Sequence, residues 1–328
     1  MLKKIAKSLD LKSLERKILI FFTVGLIFYI SLVLFADIQK IFQVFLLFNW
    51  QLVFVLLFLS LLNYLIRFIR WHYFLKQIAI HLPVITSFQI FLSGLSMTVT
   101  PGKMGEVVKA YLVKKHTGNK FSQMIPLLIT ERLTDGIGML ILALGGIYLF
   151  RQSILFFVFS LAIIVIFFCF VYYKQYTLRF IKKLEHKVGH LKILDFFITF
   201  FDHSEKLLKP KQLTVAIILS SVAWSLEGFS LFLLLNSFGQ FWNLNSFLLS
   251  FFIFSFSSIV GFLVLIPGGI GVAEGSITSL LNLFFQIKLP QAIFITLIFR
   301  FTTLWFGVFL GLLNLFLSFS KLRLYEKT

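Results

Sequence analysis

The sequence predicts an all-α, polytopic membrane protein, and three observations carry that prediction. Of 328 residues, 59% are hydrophobic and 45 are phenylalanine, with a mean hydropathy of +0.96. A soluble chain has no way to hide that much apolar surface. The apolar stretches run continuously instead of alternating, which argues against the strands of a membrane barrel. The basic residues behind the net charge of +18 sit between those stretches, where they report topology and not nucleic-acid recognition.

Full spans are expected near 18–36, 41–66, 121–150, 152–173, 212–236 and 290–319. The first follows a basic N-terminus and imitates a signal peptide. Its apolar run extends from Ile18 to about Phe35 without a small-residue cleavage site, so a retained span is expected. Regions 84–116 and 246–286 are each interrupted by a Pro-Gly-x-x-Gly pattern, Pro101-Gly102-Lys103-Met104-Gly105 and Pro267-Gly268-Gly269-Ile270-Gly271. Either side of these patterns the chain is short or polar compared with the roughly 20 apolar residues a crossing needs. Both regions read as re-entrant helical hairpins with the Pro-Gly turns at their tips. Proline ends the incoming helix and glycine permits the tight backbone. The stretch 246–266 is also apolar enough for a full span.

With the N-terminus inside, 26 of the 31 Lys and Arg residues fall in cytoplasmic segments. Lys40, Arg151 and Lys288 fall outside, and Arg132 and Arg300 lie within spans. This bias predicts cytoplasmic N- and C-termini. Each half then reads span, span, hairpin, span, starting from opposite faces: about six full spans plus two hairpins, arranged as inverted repeats. Residues 1–150 form the first repeat, 151–173 open the second, 174–211 form a linker, and 212–328 complete the second. In the linker, Leu178, Ile181, Leu184, Val188, Leu191, Leu194, Ile198 and Phe201 recur at helical steps. That pattern suits a basic amphipathic helix on an anionic inner leaflet, although a positive-inside connector is the plainer reading.

Charge at membrane depth is costly, so Arg132 and Arg300 are the leading candidates for function. They sit roughly 18 Å and 15 Å into their expected spans, at about 1.5 Å per residue. Glu131 and Asp135 accompany Arg132 and share a helix face. Their alternative role is an internal ion-pair cluster. Glu227 has no basic neighbour within two turns, so it needs a distant partner or a proton; Arg300 is a natural choice. Glu106 and Glu274 follow the two Pro-Gly turns, where helix N–H groups suit a phosphate and a carboxylate equally serves as a cap. Lys103 and Lys109 would attract an anionic headgroup or act as positive flanks. Asn63, Arg67 and Arg70 share a face near a helix end, where snorkelling to the interface is the favoured reading. His186 and His190 have metal spacing without an acid partner, and the single Cys169 excludes an internal disulfide, so no metal or other cofactor is expected. No nucleotide loop or nucleophile–base constellation is present, so the chain is not expected to be an enzyme.

Three stretches resemble signatures of the lysylphosphatidylglycerol synthase transmembrane-region family. They are Thr100 to Leu112 around the first Pro-Gly turn, Glu131-Arg132-Leu133-Thr134-Asp135, and Pro267 to Gly275 around the second turn. The resemblance covers nearly the whole chain. It implies a flippase-like membrane domain of a prokaryotic inner membrane, with these motifs around a headgroup cavity. Family members known as multiple-peptide-resistance factors carry a soluble aminoacyl-transferase domain as well. This sequence ends at Thr328 without one, so lysyl-lipid synthesis is not expected. The expected function is translocation of a phospholipid or polyprenyl-phosphate-type lipid bound near mid-membrane, with anionic phospholipid or a lipid-linked intermediate as partner and no nucleic acid. The alternative is an accessory membrane subunit of a partner enzyme, a lipid-linked glycosyltransferase or lipid-modifying enzyme.

Overall fold

The structure is a computed structural model that describes Thr23, Tyr29, Ser31 and residues 37–325, except 101–103, 120, 151–152, 189–192, 240 and 265–266. Most of the expected first span, the tip residues Pro101, Gly102 and Lys103, and also Arg151 and His190 lie outside the described residues. So do the side chains of Glu106, His186 and Pro267. Every regular element among the described residues is helical, and no strand occurs among them. The helices Gln51–Gln77, Ile154–Tyr172, Pro210–Asn236 and Leu244–Leu263 and the run Leu289–Leu317 are long and apolar enough to cross a membrane. The chain is a polytopic helical membrane protein.

The expected second span, 41–66, is two helices: α1 (Ile38–Leu47) and α2 (Gln51–Gln77). The division is local. Asp37 caps α1 by accepting from the Gln39 amide, and Phe48 is extended. Asn49 Oδ1 accepts from the Gln51 amide at 3.1 Å and starts α2. The first Pro-Gly region gives α3 (Val84–Leu95) and α4 (Met104–Thr117). The third expected span is α5 (Ile125–Leu149), which opens with Pro126 in its first turn. Next come α6 (Ile154–Tyr172), α7 (Lys174–Val188) and α8 (Ile193–Leu207). The linker is thus two helices where the periodicity suggested one. The chain continues through α9 (Pro210–Asn236), α10 (Leu244–Leu263), α11 (Val272–Phe285) and α12 (Leu289–Arg300). A π turn over Phe301–Trp305 leads into α13 (Phe306–Tyr325). The two Pro-Gly regions differ: α3 and α4 are both short, whereas α10 has 20 residues, enough to cross, and α11 has 14.

The chain packs as two compact units, each assembled from separated segments. The first comprises residues 1–61, 92–107 and 227–328. Within it α11 packs between α10 and α12, and α1 lies on α12. Phe48, Phe238 and Phe294 meet with centroids 5.3–5.9 Å apart, seating the loop after α1 against the end of α9 and against α12. The backbone of α13 at Gly311 lies directly against α3 at Leu92 and Ser96, and one turn later Asn314 donates to Ser93 Oγ at 2.9 Å.

The second Pro-Gly turn belongs to this unit, and its glycines are required by backbone geometry. Gly268 has φ 61°, Gly269 66° and Gly271 90°, values that a side chain makes costly. A Cβ on Gly268 would also stand 3.2 Å from Val99 Cγ1. Gly268→Val is therefore expected to destabilise the protein by about 1–3 kcal/mol, read as a lower thermal midpoint in detergent. An unchanged midpoint would show that the turn relaxes to negative φ.

The second unit comprises residues 62–91 and 108–226. Its α8 packs on α5. Val171, Phe200 and Phe201 are buried there, with Leu178, Phe197 and Ile125 packed around them. The linker's apolar face is consequently spent partly on protein: Ile181 and Phe201 are buried, while Ile198 is exposed. On α6 the apolar side chains Leu155, Val158 and Phe159 are exposed, as suits a helix facing lipid.

Candidate functional site

Among the described residues, each unit contains a buried ionic cluster. In the second unit the cluster is built where the last turns of α2 pass the first turns of α5 and the middle of α9. Arg70 lies seven residues before the end of α2 and is only 1% exposed. Its Nη1 donates to Asp135 Oδ1 at 2.6 Å and also to Ser220 Oγ, and its Nη2 stands 3.9 Å from Glu131 Oε1. Asp135 Oδ1 accepts a second bond from the Trp224 indole at 2.8 Å, and Asp135 Oδ2 pairs with Arg132 Nη1 at 3.2 Å. Glu131 Oε2 accepts from Lys109 Nζ at 2.7 Å. That ammonium also sits 4.3 Å from the Trp71 ring centroid. Arg67 lies over Trp224 at 4.7 Å, and Asn63 donates to the Ala223 carbonyl at 2.7 Å.

Sequence pattern explains part of this assembly. Glu131 and Asp135 are one turn apart on α5, so both carboxylates reach the same guanidinium. Asn63, Arg67 and Arg70 occupy one face of α2, and that face meets α9 at Ala223, Trp224 and Ser220 in turn. The snorkelling reading is thereby corrected: Arg70 ends in a buried network instead of at the interface, because two acids and a serine receive its head. Because α5 begins at Ile125, Arg132 lies about 10 Å from its start at 1.5 Å per residue, nearer the helix end than the sequence suggested. Trp224, Ser220 and Trp71 were not among the site residues expected from sequence. Lys109 reads from sequence as a headgroup-attracting cation or a positive flank; its acid, Glu131, lies 22 positions away on another helix.

In the first unit the cluster is organised around Glu274, which is 0% exposed. Its Oε1 accepts from Arg300 Nε and from the Tyr29 hydroxyl, both at 2.7 Å. Its Oε2 accepts from the Gly271 amide at 2.7 Å, closing the N-terminus of α11. Arg300 Nη2 donates to the Gly268 carbonyl at 2.6 Å, so one side chain ties α12 to both the turn and the helix after it. The carboxylate held by Arg300 is Glu274, whereas Glu227 was the partner suggested by sequence; Glu227 lies buried on α9. Glu274 reaches the arginine because the three left-handed glycines fold the start of α11 back toward α12.

Immediately after Arg300 the helix widens into the π turn, with the Phe306 amide bonding to the Phe301 carbonyl. Thr302 Oγ1 donates to the Ile298 and Phe299 carbonyls, and Thr303 Oγ1 donates to that of Phe299 at 2.7 Å. Both hydroxyls bond back onto carbonyls of the preceding turn, as threonines in helices commonly do. Arg300 is matched to one acid, Glu274, whereas Glu131 and Asp135 are shared among Arg70, Lys109 and Arg132. No group of three or more His, Cys, Asp or Glu side chains suited to a metal occurs among the described residues.

Comparison with known proteins matches residues 20–311 to a family described as the lysylphosphatidylglycerol synthase transmembrane region. The UPF0104 membrane protein MJ1078 of Methanocaldococcus jannaschii is 28% identical over 193 residues, which is 57% of this chain and 78% of that protein.

Proposed function

Because the chain belongs to the lysylphosphatidylglycerol synthase transmembrane-region family, we propose that it is a lipid translocase that receives a phosphate-bearing headgroup at the cluster around Asp135. The observation that carries this reading is the burial of Arg70 among Lys109, Glu131, Arg132 and Asp135 in a helical membrane protein. Ionised groups in such a position mark a polar route. Arginine suits the task because its planar fork binds phosphate oxygens in pairs and keeps its charge. In this reading Arg67, Arg70 and Arg132 hold the phosphate, and Glu131 and Asp135 keep the guanidiniums aligned. Arg300 and Glu274 brace the second Pro-Gly turn.

The two sequence halves act as inverted repeats with re-entrant hairpins at residues 84–116 and 246–286, and the termini face the cytoplasm of a prokaryotic cell. The charge bias of the connecting segments and the paired Pro-Gly turns support this arrangement.

The test is reconstitution into liposomes with fluorescently labelled phospholipids, following access to a membrane-impermeant quencher. The parental protein is expected to move label between leaflets. Arg132→Gln removes a charge-assisted contact worth about 1.5–3 kcal/mol, and transport should fall by about tenfold or more. Parental rates in a well-folded Arg132→Gln protein would place the headgroup elsewhere.

A further inference from the structure

The linker helix α7 turns outward a different face from the one its apolar periodicity suggests. Ile181 is buried, and Leu178 packs on the cluster of Val171, Phe200 and Phe201. Lys174 pairs with Glu205 of α8 at 2.6 Å. These contacts spend one side of the helix on protein. The opposite side carries Tyr176, Phe180 and Lys183 at i, i+4 and i+7, within about 60° of one another at 100° per residue. Tyr176 is 68% exposed and Phe180 64%, and Arg179, Lys182 and Lys183 are exposed beside them. Such a face combines rings that favour the edge of an apolar layer with cations that favour anions.

Position decides what that face meets. Helix α6 runs into α7 through Tyr173, and it is long and apolar enough to cross a membrane, with Val158, Val165 and Ile166 exposed along it. Tyr172 closes α6, and the rings of Tyr172, Tyr173 and Tyr176 follow one another at centroid distances of 5.0 and 6.0 Å. The aromatic row thus begins where a lipid-facing helix ends, which is the depth of lipid headgroups. We propose that the outward face of α7 docks on the headgroup layer and recruits anionic phospholipid there. Tyr176 and Phe180 seat at the upper acyl chains, and Arg179, Lys182 and Lys183 pair with headgroup phosphates. An acidic protein would satisfy the basic residues, but it would not account for a row of rings continuous with the lipid-facing span. The face shares no residue with the Asp135 cluster, so it recruits lipid whether or not the protein transports it.

The experiment uses the full chain with a bimane fluorophore on Cys169, its single cysteine, which is exposed on α6 about one turn before Tyr172. The protein is reconstituted into phosphatidylcholine vesicles that contain a small fraction of either phosphatidylglycerol or phosphatidylcholine with a nitroxide high on its acyl chain. Quenching then reports which lipid stands against this end of α6. Labelled phosphatidylglycerol is expected to quench at least about twofold more than labelled phosphatidylcholine, and about 0.5 M salt should shrink the excess. The triple substitution Arg179→Gln, Lys182→Gln and Lys183→Gln, checked for folded yield, should bring the two lipids to parity. Lys114→Gln with Lys115→Gln, which removes exposed charges of α4, should leave the excess in place. Equal quenching by the two lipids in the parent overturns the proposal and leaves the face to an acidic protein partner. An excess lost equally in the α4 variant also overturns it, because the effect would then follow the total charge of the protein and not this face. Quenching is read without transport, so a negative result leaves the translocase reading standing, and absent transport leaves this face standing.

Discussion

Asp135→Asn is expected to cost about 3–5 kcal/mol of stability, the range for removing one partner of a buried charged group. The carboxylate holds Arg70 through Oδ1 at 2.6 Å and Arg132 through Oδ2 at 3.2 Å, and it also accepts the Trp224 indole. An asparagine amide offers one acceptor oxygen and presents donors to a guanidinium, which already has donors to spare. The measurement is the thermal midpoint and folded yield of the purified protein in detergent. The double substitution Asp135→Asn with Arg70→Gln should recover a substantial part of the loss, since it removes the uncompensated charge together with its lost partner. Transport should stay low in the double variant. A parental midpoint for Asp135→Asn alone would mean that other groups neutralise the arginines and that the network does not depend on this acid.

Gly311→Val should be comparably damaging for a purely steric reason. A Cβ at Gly311 would lie 2.6 Å from the Leu92 carbonyl oxygen and 2.8 Å from Ser96 Cα, and closer still to the Ser96 amide nitrogen. All three are backbone atoms, so no side-chain rotation relieves the clash and α13 must leave α3. Separation would also break the Asn314–Ser93 hydrogen bond. The cost should reach at least the upper part of the 1–3 kcal/mol overpacking range, about 3 kcal/mol. It is read as loss of folded yield and faster limited proteolysis. Gly275→Ala is the matched control, because a Cβ there meets nothing within 4 Å; it should be neutral or slightly stabilising. A Gly311→Val protein that melts with the parent would show that the helices part without penalty.

The fold class was legible in the sequence because composition decides it, and so was the acid pair on α5, because i, i+4 spacing places Glu131 and Asp135 on one face. A tight glycine turn at Gly268 was legible from Pro-Gly-x-x-Gly, and the structure gives it as a positive φ. Arg70 was only half legible. Its shared face with Asn63 and Arg67 was visible, but an arginine near a helix end reads the same whether it reaches the interface or the core. What distinguishes the cases is the arrival of α5 and α9, a tertiary fact. Glu274 as the partner of Arg300 was hidden for a similar reason: the two lie 26 residues apart and meet only through the left-handed turn. The break of the expected second span at Phe48 was marked by Asn49, a cap residue submerged in an apolar run.

The widened turn at Phe301–Trp305 changes how the final stretch of chain should be counted. A π turn takes one residue more than an α turn to advance along the axis, so it works as a single-residue insertion inside an otherwise continuous rod. Each residue in an α-helix turns the wheel by about 100°. A helical wheel drawn from Leu289 therefore mislabels the faces of everything from Phe306 onward, Gly311 and Asn314 among them. Relatives that run straight through as α-helix would present the same faces with one residue fewer, and an alignment that places its gap elsewhere would pair the wrong positions on α13. Thr302 and Thr303, whose hydroxyls bond back to Ile298 and Phe299, mark where that one-residue offset belongs.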